Sequence, residues 1–328
     1  MRIALLAAAA VLALPQLASA QAKVTMGLSH QLPPAHHIAK VVEAFAADVK
    51  ARTNGEVEVK VFGASQAHRP NENFPAVARG SIESALSVNF QWGNTVPEMN
   101  VTVIPYFLTD LEKLKKFPGS EAAKLLEAKL ESKGVKNVAW VYTTRQSIFT
   151  SAKKPLKAPD DFKGIKIRGL NKLADAALEA VGAAPSALPG DEVYSGLQTG
   201  IIDAGLTDVS AAYSRKYYEV QKYGTVAPYF SVYFHLYVNP AWWGKLEPKH
   251  RDAIAAAAAK AEKDSIAITE KTAEEAIVEL GKKGMELHLQ TAEEAKAWSA
   301  LMQKPVLDGF LQAAPEDGAK LIEAINKL

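Results

Sequence analysis

The chain has 328 residues, with 38 basic and 36 acidic side chains, 48% hydrophobic residues and no cysteine. This charge balance lacks the strongly basic character of nucleic-acid-binding proteins. The absence of cysteine excludes disulfides, thiolate nucleophiles and cysteine-ligated zinc or iron–sulfur sites in this chain, whose length suffices for a large core and for two lobes.

The N-terminus has the pattern of a secretory signal peptide. Arg2 precedes an apolar run over 3–14, and the small residues Ala18-Ser19-Ala20 follow it. The run is too short to span a bilayer. We therefore predict a signal peptide over 1–20, cleavage after Ala20 and a mature protein in the periplasm. The alternative is an uncleaved anchor.

The following segments alternate between strand and helix patterns. Alternating apolar residues predict strands around 24–28 and 57–61, and a helix is predicted between them from about 35 to 51. Such an order is typical of an α/β fold with mostly parallel sheets.

Two segments resemble each other, which indicates two similar lobes. Residues 76–89 (AVARGSIESALSVN) and 196–209 (GLQTGIIDAGLTDV) each place a glycine, Gly80 or Gly200, between a helix and a short strand. Glycine is favoured where a helix ends in the left-handed conformation. The carboxyl ends of the two strands would then meet at a shared cleft, where α/β proteins bind ligands. The alternative is a chance similarity.

A long helix is predicted in the last third of the chain. Helical spacing continues from Pro248 to Leu280, with no breaker before Gly281. A helix of about thirty residues is about 45 Å long and can brace two lobes. A capping box at Thr291 and Glu294 predicts a further helix, and a last helix is expected at about 317–326.

The sequence shows none of the common catalytic motifs. Its seven histidines have no spacing suited to zinc, and there is no GxSxG elbow, no Walker loop and no GxGxxG after a strand. We therefore expect a binding protein rather than an enzyme, with no cofactor and no metal.

Residues 155–168, PLKAPDDFKGIKIR, end in the strongest candidate for a binding residue. Ile165 and Ile167 alternate with Lys166 and Arg168, which predicts a short strand with Arg168 at its carboxyl end. A guanidinium at this place offers two parallel donors to a carboxylate. The alternative is an exposed arginine in a weak surface ion pair.

A family resemblance rests on three segments at close spacing: PLKAPDDFKGIKIR, GAAPSALPGDEVYSGLQTGIIDAG and RKYYEVQKYG. In this order they resemble the solute-binding proteins of tripartite ATP-independent periplasmic (TRAP) transporters, the DctP-type family. Weaker similarity, in TNGEVEVKVF and in the IPYF segment at 104–107, extends over the mature chain. The resemblance implies a two-lobed α/β periplasmic binding protein, class II-like, with a long helix spanning both lobes.

The resemblance also implies a function and a division of the chain. It implies capture of a small organic acid and delivery to a sodium-coupled membrane permease, without ATP and without covalent chemistry. We expect lobe I to comprise 21–145, about 231–265 and the C-terminal helix, and lobe II to comprise 146–230 and about 266–310. The partners would be the organic acid and TRAP permease subunits, and the protein is expected to be a monomer.

Family positions imply several ligand contacts. Arg168 matches the carboxylate-binding arginine, and Asn171 matches a frequent polar position of the pocket. A second arginine of family members falls here at Ser147 or Ile148. Arg145, slightly upstream, either takes that role or the role is lost.

The chain departs from the family pattern near the second lobe's strand end. Thr207 replaces a usual asparagine and Asp208 replaces a common proline. Asp208 either selects an amine or several hydroxyls on the ligand or faces solvent. An aromatic residue often precedes the EVY motif, whereas Gly190 and Asp191 stand here, so we expect a roomier pocket.

Strand geometry adds further candidates. They follow the equivalent strand of lobe I or lie in the strand expected over 231–238, and they are Asn89, Phe90, Gln91, Trp92, Tyr233 and His235. Aromatic residues at such positions form core as often as ligand walls.

The sequence therefore predicts the periplasmic solute-binding subunit of a TRAP transporter for a carboxylate. The alternatives are a ligand-binding partner of a sensor kinase or of another importer, and an exported lyase or isomerase. The sequence does not specify the solute, and dicarboxylates, sugar acids, keto acids, amino acids and sulfonates are all candidates.

Overall fold

The computed structural model describes residues 23–328 and contains two mixed sheets flanked by helices. The signal peptide predicted over 1–20 lies outside the described residues. Lobe I is built on a five-stranded sheet, and lobe II on a six-stranded sheet.

The strands, in chain order, are β1 (Val24–His30), β2 (Val57–Phe62), β3 (Ser84–Val88), β4 (Lys136–Thr144), β5 (Ser147–Ser151), β6 (Lys166–Gly169), β7 (Ala184–Ala187), β8 (Ala204–Asp208), β9 (Tyr223–Ala227), β10 (Val232–Val238) and β11 (Glu286–Leu289). The sheet of lobe I has the order β2-β1-β3-β10-β4, and that of lobe II has the order β11-β9-β5-β8-β6-β7.

The α-helices are α1 (His37–Arg52), α2 (Pro70–Ala78), α3 (Leu111–Lys116), α4 (Glu121–Ser132), α5 (Lys172–Glu179), α6 (Val193–Thr199), α7 (Val209–Ser214), α8 (Pro240–Lys245), α9 (Pro248–Lys282), α10 (Ala292–Ala313) and α11 (Gly318–Asn326). Short 3₁₀ helices lie at Asn89–Trp92, Pro97–Val103, Pro159–Phe162 and Tyr217–Glu219.

The sheets are mixed: among the described residues, five strand pairings are parallel, as expected, and four are antiparallel, which the sequence analysis did not predict. In lobe I, β10 is antiparallel to both β3 and β4, and in lobe II, β5 is antiparallel to both β8 and β9. The reason is the path of the chain between lobes. β4 and β5 belong to different sheets and are separated only by Arg145 and Gln146, and the chain returns between β9 and β10.

The long helix predicted from the sequence is confirmed. α9 contains 35 residues, which at 1.5 Å per residue makes it about 52 Å long. Near its start, Ile254 and Ala258 are buried where α9 packs on β4 and α1 of lobe I. Near its end, Ala276 and Leu280 pack in the core of lobe II. This helix therefore ties the two lobes together along one side.

α9 also covers the free edge of the lobe I sheet, where β4 is the last strand. The Tyr142 backbone N–H donates to Ser265 Oγ at 3.0 Å, and the Tyr142 carbonyl accepts from Thr269 Oγ1 at 2.9 Å. The Trp140 backbone N–H donates to Glu262 at 2.8 Å. These side chains pair backbone groups that an edge strand would otherwise leave without partners.

The repeated glycine segments adopt similar structures in the two lobes. Gly80 follows α2 with φ +73°, Gly200 follows α6 with φ +73°, and each precedes a strand, β3 or β8. The carboxyl ends of these two strands face the cleft between the lobes. Within residues 23–328, no helix contains a stretch that is long and apolar enough to cross a membrane.

Candidate functional site

Arg168 lines the cleft between the lobes, near the end of β6. Its side chain is buried, with 4% of the residue exposed. Nε donates to the Leu188 carbonyl at 3.1 Å and Nη1 donates to the Leu206 carbonyl at 2.7 Å. Nη2 has no hydrogen-bond partner among residues 23–328. Because neutral carbonyls hold the guanidinium, its positive charge is oriented but not neutralised.

Lobe I supplies the surface opposite this guanidinium. The Phe90 ring lies 5.9 Å from Arg168 Cζ, within the range of a cation–π contact. Between the lobes is a cavity of about 30 Å³, which we call the cleft cavity. The residues that line the cleft cavity are Gln31, His36, Val88, Phe90, Arg168, Gly190, Thr207, Asp208, Arg215, Phe230, Val232 and Phe234.

Thr207 and Asp208, at the end of β8, both line the cleft cavity as expected from their position after the repeated glycine segment. One carboxylate oxygen of Asp208 accepts the Ala211 backbone N–H at 2.7 Å, so that Asp208 caps α7. Burial raises the pKa of Asp208 above its ordinary value, although Arg215 and Arg168 oppose the shift. Asp208 therefore faces the cavity as well as its own helix.

The cleft cavity contains a second arginine that the sequence analysis missed. Arg215 follows α7 and lies against Gly190, where a Cβ on residue 190 would be only 2.7 Å from Arg215 Nη1. The space left by Gly190 is thus filled by this guanidinium, and the expectation of a roomier pocket was wrong. Gln31 and His36 of lobe I were also missed, because they follow the first strand and no motif marks them.

Comparison with known proteins identifies the family. Residues 28–312 match the profile of the DctP family, described as bacterial extracellular solute-binding protein, family 7. The chain belongs to this family.

Relatives of this DctP-family chain are similar over nearly their whole length. The C4-dicarboxylate-binding periplasmic protein DctP of Rhodobacter capsulatus is 31% identical over 306 residues, covering 92% of this chain and 90% of the relative. A TRAP periplasmic solute-binding protein from Sulfurospirillum deleyianum with bound succinate is 27% identical, with a TM-score of 0.86, covering 93% of this chain and 100% of that one. A second, from Desulfovibrio salexigens with bound orotic acid, is 28% identical, with a TM-score of 0.87, covering 92% and 97%.

Asn171 lies beside the cleft cavity and joins the lobes of this DctP-family chain. Its Oδ1 accepts from the backbone of Leu173 and Ala174, and so caps α5. Its Nδ2 donates to the Phe90 carbonyl at 2.8 Å and to Asn100 Oδ1 at 2.7 Å. These contacts occupy the side chain, so the structure gives Asn171 a positioning role across the cleft.

Arg145 lies at the crossing between the lobes and does not line the cleft cavity. Its Nη2 pairs with Glu270 of α9 at 2.8 Å, and the Tyr142 hydroxyl donates to the same carboxylate at 2.7 Å. Hydrogen bonding to Glu270 raises the pKa of Arg145. The structure therefore assigns Arg145 to the attachment of α9 and does not bring it together with Arg168.

Of the four candidates after β3, only Phe90 lines the cleft cavity. Asn89 is buried in lobe I, where Nδ2 donates to the Met99 carbonyl and to Thr102 Oγ1. Trp92 packs on Phe74, His235 and Tyr237. Gln91 borders a separate depression at the mouth of the cleft.

Tyr233 and His235 lie in β10 as expected, but on the face that packs into lobe I. The Tyr233 hydroxyl donates to the Leu114 carbonyl at 2.8 Å. His235 stacks on Trp140, and burial lowers its pKa to about 3. Successive side chains of a strand point to opposite faces, so Val232 and Phe234 reach the cleft cavity instead.

A larger groove of about 390 Å³ lies elsewhere, between α1, α7 and α9. Its charged lining residues are Lys40, Glu275 and Glu279. The smaller cleft cavity is the candidate solute site, because there the buried Arg168 and the half-buried Arg215 of lobe II meet polar side chains of lobe I. Within residues 23–328, no group of His, Asp and Glu side chains is arranged to hold a metal ion.

Proposed function

We propose that this protein is the periplasmic solute receptor of a TRAP transporter and captures a small organic acid by its carboxylate. The observation that carries the proposal is Arg168, a buried guanidinium with one unpaired amino group in a cleft between two lobes. A carboxylate would supply both the negative charge and the acceptor that this group lacks. The dicarboxylate named for the Rhodobacter relative and the succinate bound in the Sulfurospirillum structure support this class of ligand.

Binding of the solute would favour closure of the cleft. Arg168 and Asp208 belong to lobe II, whereas Phe90 and His36 belong to lobe I. A solute that touches both sets of residues binds the closed form more tightly than the open form. Binding then shifts the population toward closure.

We infer delivery of the solute to a membrane permease from the family and from the proposed periplasmic location. The closed receptor would hand its solute to a sodium-coupled permease, and the receptor would act as a monomer without an enzymatic step. The name of the Rhodobacter relative and the pattern of residues 1–20 support a periplasmic location.

The first experiment identifies a solute and then removes the guanidinium. A thermal-shift screen over organic acids detects binding, because a ligand that binds the native state raises the melting temperature. Calorimetry with the best solute should then show that Arg168→Ala weakens binding by about 2–5 kcal/mol, the range for truncating one partner of a buried charge pair.

Lys166→Ala is the matched control, since Lys166 is an exposed cation on the same strand. It should leave the dissociation constant unchanged. If Arg168→Ala bound the solute as tightly as the unmodified protein does, Arg168 would not be part of the site and the proposal would fail.

A further inference from the structure

His36 carries a hydrogen-bond donor that nothing in the described protein uses. It is the N-cap of α1, where Nδ1 accepts the Ile38 backbone N–H at 3.2 Å. Burial keeps the pKa of His36 well below its ordinary value, and His37, Arg215 and His30 add to the shift. The ring is therefore neutral, and because Nδ1 is the acceptor, Nε2 carries the hydrogen. Nε2 is buried and has no partner within residues 23–328.

Arg215 is the second cation without a counter-ion in the cleft cavity. The ion pairs made by arginine within residues 23–328 are Arg52–Asp48 and Arg145–Glu270. Neither Arg168 nor Arg215 therefore has a carboxylate within 4.0 Å, and Arg215 Nε is buried without a partner. Arg168, Arg215 and His36, whose Nε2–H has no partner within residues 23–328, thus all line one small cavity.

The charged lining of the cleft cavity favours an anionic solute. It contains two guanidiniums, Arg168 and Arg215, and one carboxyl group, Asp208, whose pKa is raised by burial, while His36 is neutral. A monocarboxylate brings one negative charge to these two cations. A dicarboxylate brings a second negative charge, which would need a partner of its own.

Asp208 provides an acceptor beside these donors. One of its oxygens caps α7, and the other accepts no hydrogen bond from a side chain of the described residues. Asp208 lines the same cavity as Arg168 and Arg215, and both arginines lower its pKa against the effect of burial. A hydroxyl on the carbon adjacent to the carboxylate can donate to that free oxygen.

Apart from Gln31 and Thr207, the remaining side chains that line the cleft cavity are apolar, and the cavity is small. Its apolar lining consists of Val88, Phe90, Phe230, Val232 and Phe234. These side chains offer no partner to a second carboxylate, and a volume of about 30 Å³ favours a short carbon chain.

We infer that Arg215 and His36 complete the anion site begun by Arg168, and that this site takes a short 2-hydroxy monocarboxylate. The carboxylate binds Arg168 Nη2, Arg215 and His36 Nε2–H, the hydroxyl donates to Asp208, and the carbon chain lies on the aromatic wall. The inference rests on the proposed function, because it specifies the solute of the same cleft.

The first test compares solutes by calorimetry on the mature protein. The panel contains glycolate, the two enantiomers of lactate and 2-hydroxybutanoate, together with propionate, alanine and succinate. At least one 2-hydroxy acid should bind about tenfold or more tightly than propionate, which lacks the hydroxyl, and more tightly than alanine or succinate. The inferred ligand class is overturned if succinate binds more tightly than every 2-hydroxy acid or if no 2-hydroxy acid binds.

The second test removes each donor while keeping its structural role. His36→Asn retains a favourable N-cap for α1 but withdraws the donor from the cleft cavity. Arg215→Gln removes the charge and keeps a polar side chain. With the best 2-hydroxy acid, His36→Asn should weaken binding about tenfold and Arg215→Gln by tenfold or more, while the melting temperature without solute stays unchanged. Arg79→Gln, an exposed arginine at the end of α2, is the control.

The outcomes separate this inference from the proposed function. If Arg168→Ala abolishes binding while His36→Asn and Arg215→Gln bind normally, the three-residue anion site is refuted and the solute receptor stands. If no organic acid binds the unmodified protein, both fail. If a variant melts at a lower temperature, crystallography of the solute complex decides, since the carboxylate must then contact Arg215 and His36 in the unmodified protein.

Discussion

At the scale of single residues, the candidate site depends on how a buried charged side chain is oriented. Arg168 is oriented by two main-chain carbonyls, which fix its direction without cancelling its charge. Burial lowers the pKa of Arg168, but an arginine starts from so high a value that it stays protonated. Burying a charge of this kind without a counter-ion costs free energy, and an anion that binds beside it offsets this cost.

Asp175 allows a test of this electrostatic environment. It lies in α5 with 6% of the residue exposed and accepts the Leu170 backbone N–H at 2.7 Å. Burial raises its pKa to about 6, with Arg168 opposing the shift. A carboxyl whose pKa is higher in the folded protein than in the unfolded chain stabilises the fold at low pH, and this contribution is lost as the pH rises through about 6.

We therefore expect Asp175→Asn to gain stability relative to the unmodified protein between pH 4 and pH 7. The gain should reach about 3 kcal/mol, the energy that corresponds to raising a carboxyl pKa from 3.8 to about 6. Urea unfolding at several pH values measures it. Asp252→Asn, an exposed position, serves as the control, and a stability difference that does not change with pH would contradict the prediction.

Sequence patterns predicted part of the lining of the cleft cavity. Arg168, Thr207, Asp208 and Phe90 were predicted because they stand at or just after strand ends, where open α/β sheets bind ligands. Arg215 was not, because its position depends on the space left by Gly190, which lies 25 residues away in the chain. Such a contact arises only from tertiary packing.

At the scale of elements, the hydrogen bonds between α9 and β4 stabilise the edge of the lobe I sheet. Ser265 is fully buried, and its Oγ accepts the Tyr142 backbone N–H at 3.0 Å. Ser265→Ala leaves that N–H buried without an acceptor. We expect the free energy of unfolding to fall by about 1–3 kcal/mol, the usual cost of an unsatisfied buried donor.

Denaturant unfolding measures this loss, and Ser195→Ala supplies the same chemical change at an exposed position of α6. The control should change the stability by less than about 0.5 kcal/mol. Equal losses in both variants would show that the edge contact does not stabilise lobe I.

Helices were easier to predict than sheet topology. α9 was predicted within a few residues, because helical periodicity over 35 positions is a local signal. The direction of β5 and β10 was not, because strand pairing depends on which lobe each strand joins. The sequence of β10 did not show which of its side chains face the cleft, since all seven residues of that strand are buried.

At the scale of the whole molecule, the two lobes are held together by few polar contacts across the cleft. Asn171 reaches Phe90 and Asn100, and at the opposite rim Ser65 Oγ donates to Asp191 at 2.7 Å. In the proposed closure mechanism, contacts of this kind form when the cleft closes, so we expect them to contribute to solute affinity rather than to the stability of either lobe.

Ser65→Ala should accordingly weaken solute binding about two- to fivefold, because one exposed hydrogen bond contributes about 0.5–1 kcal/mol. The stability of the solute-free protein should not change. Calorimetry and urea unfolding measure the two quantities. Ser132→Ala, which removes a hydrogen bond within α4 of lobe I, is the control for binding. A loss of stability without a change in affinity would assign the Ser65 contact to folding.

The aromatic core has a practical consequence for such measurements. Trp92, Trp140 and Trp298 are buried in the cores, Trp242 and Trp243 lie in α8, and none of the five lines the cleft cavity. Intrinsic tryptophan emission should therefore follow unfolding faithfully while responding little to the solute itself. Since the chain has no cysteine, a single introduced thiol on the cleft rim could carry a dye that supplies the missing optical signal.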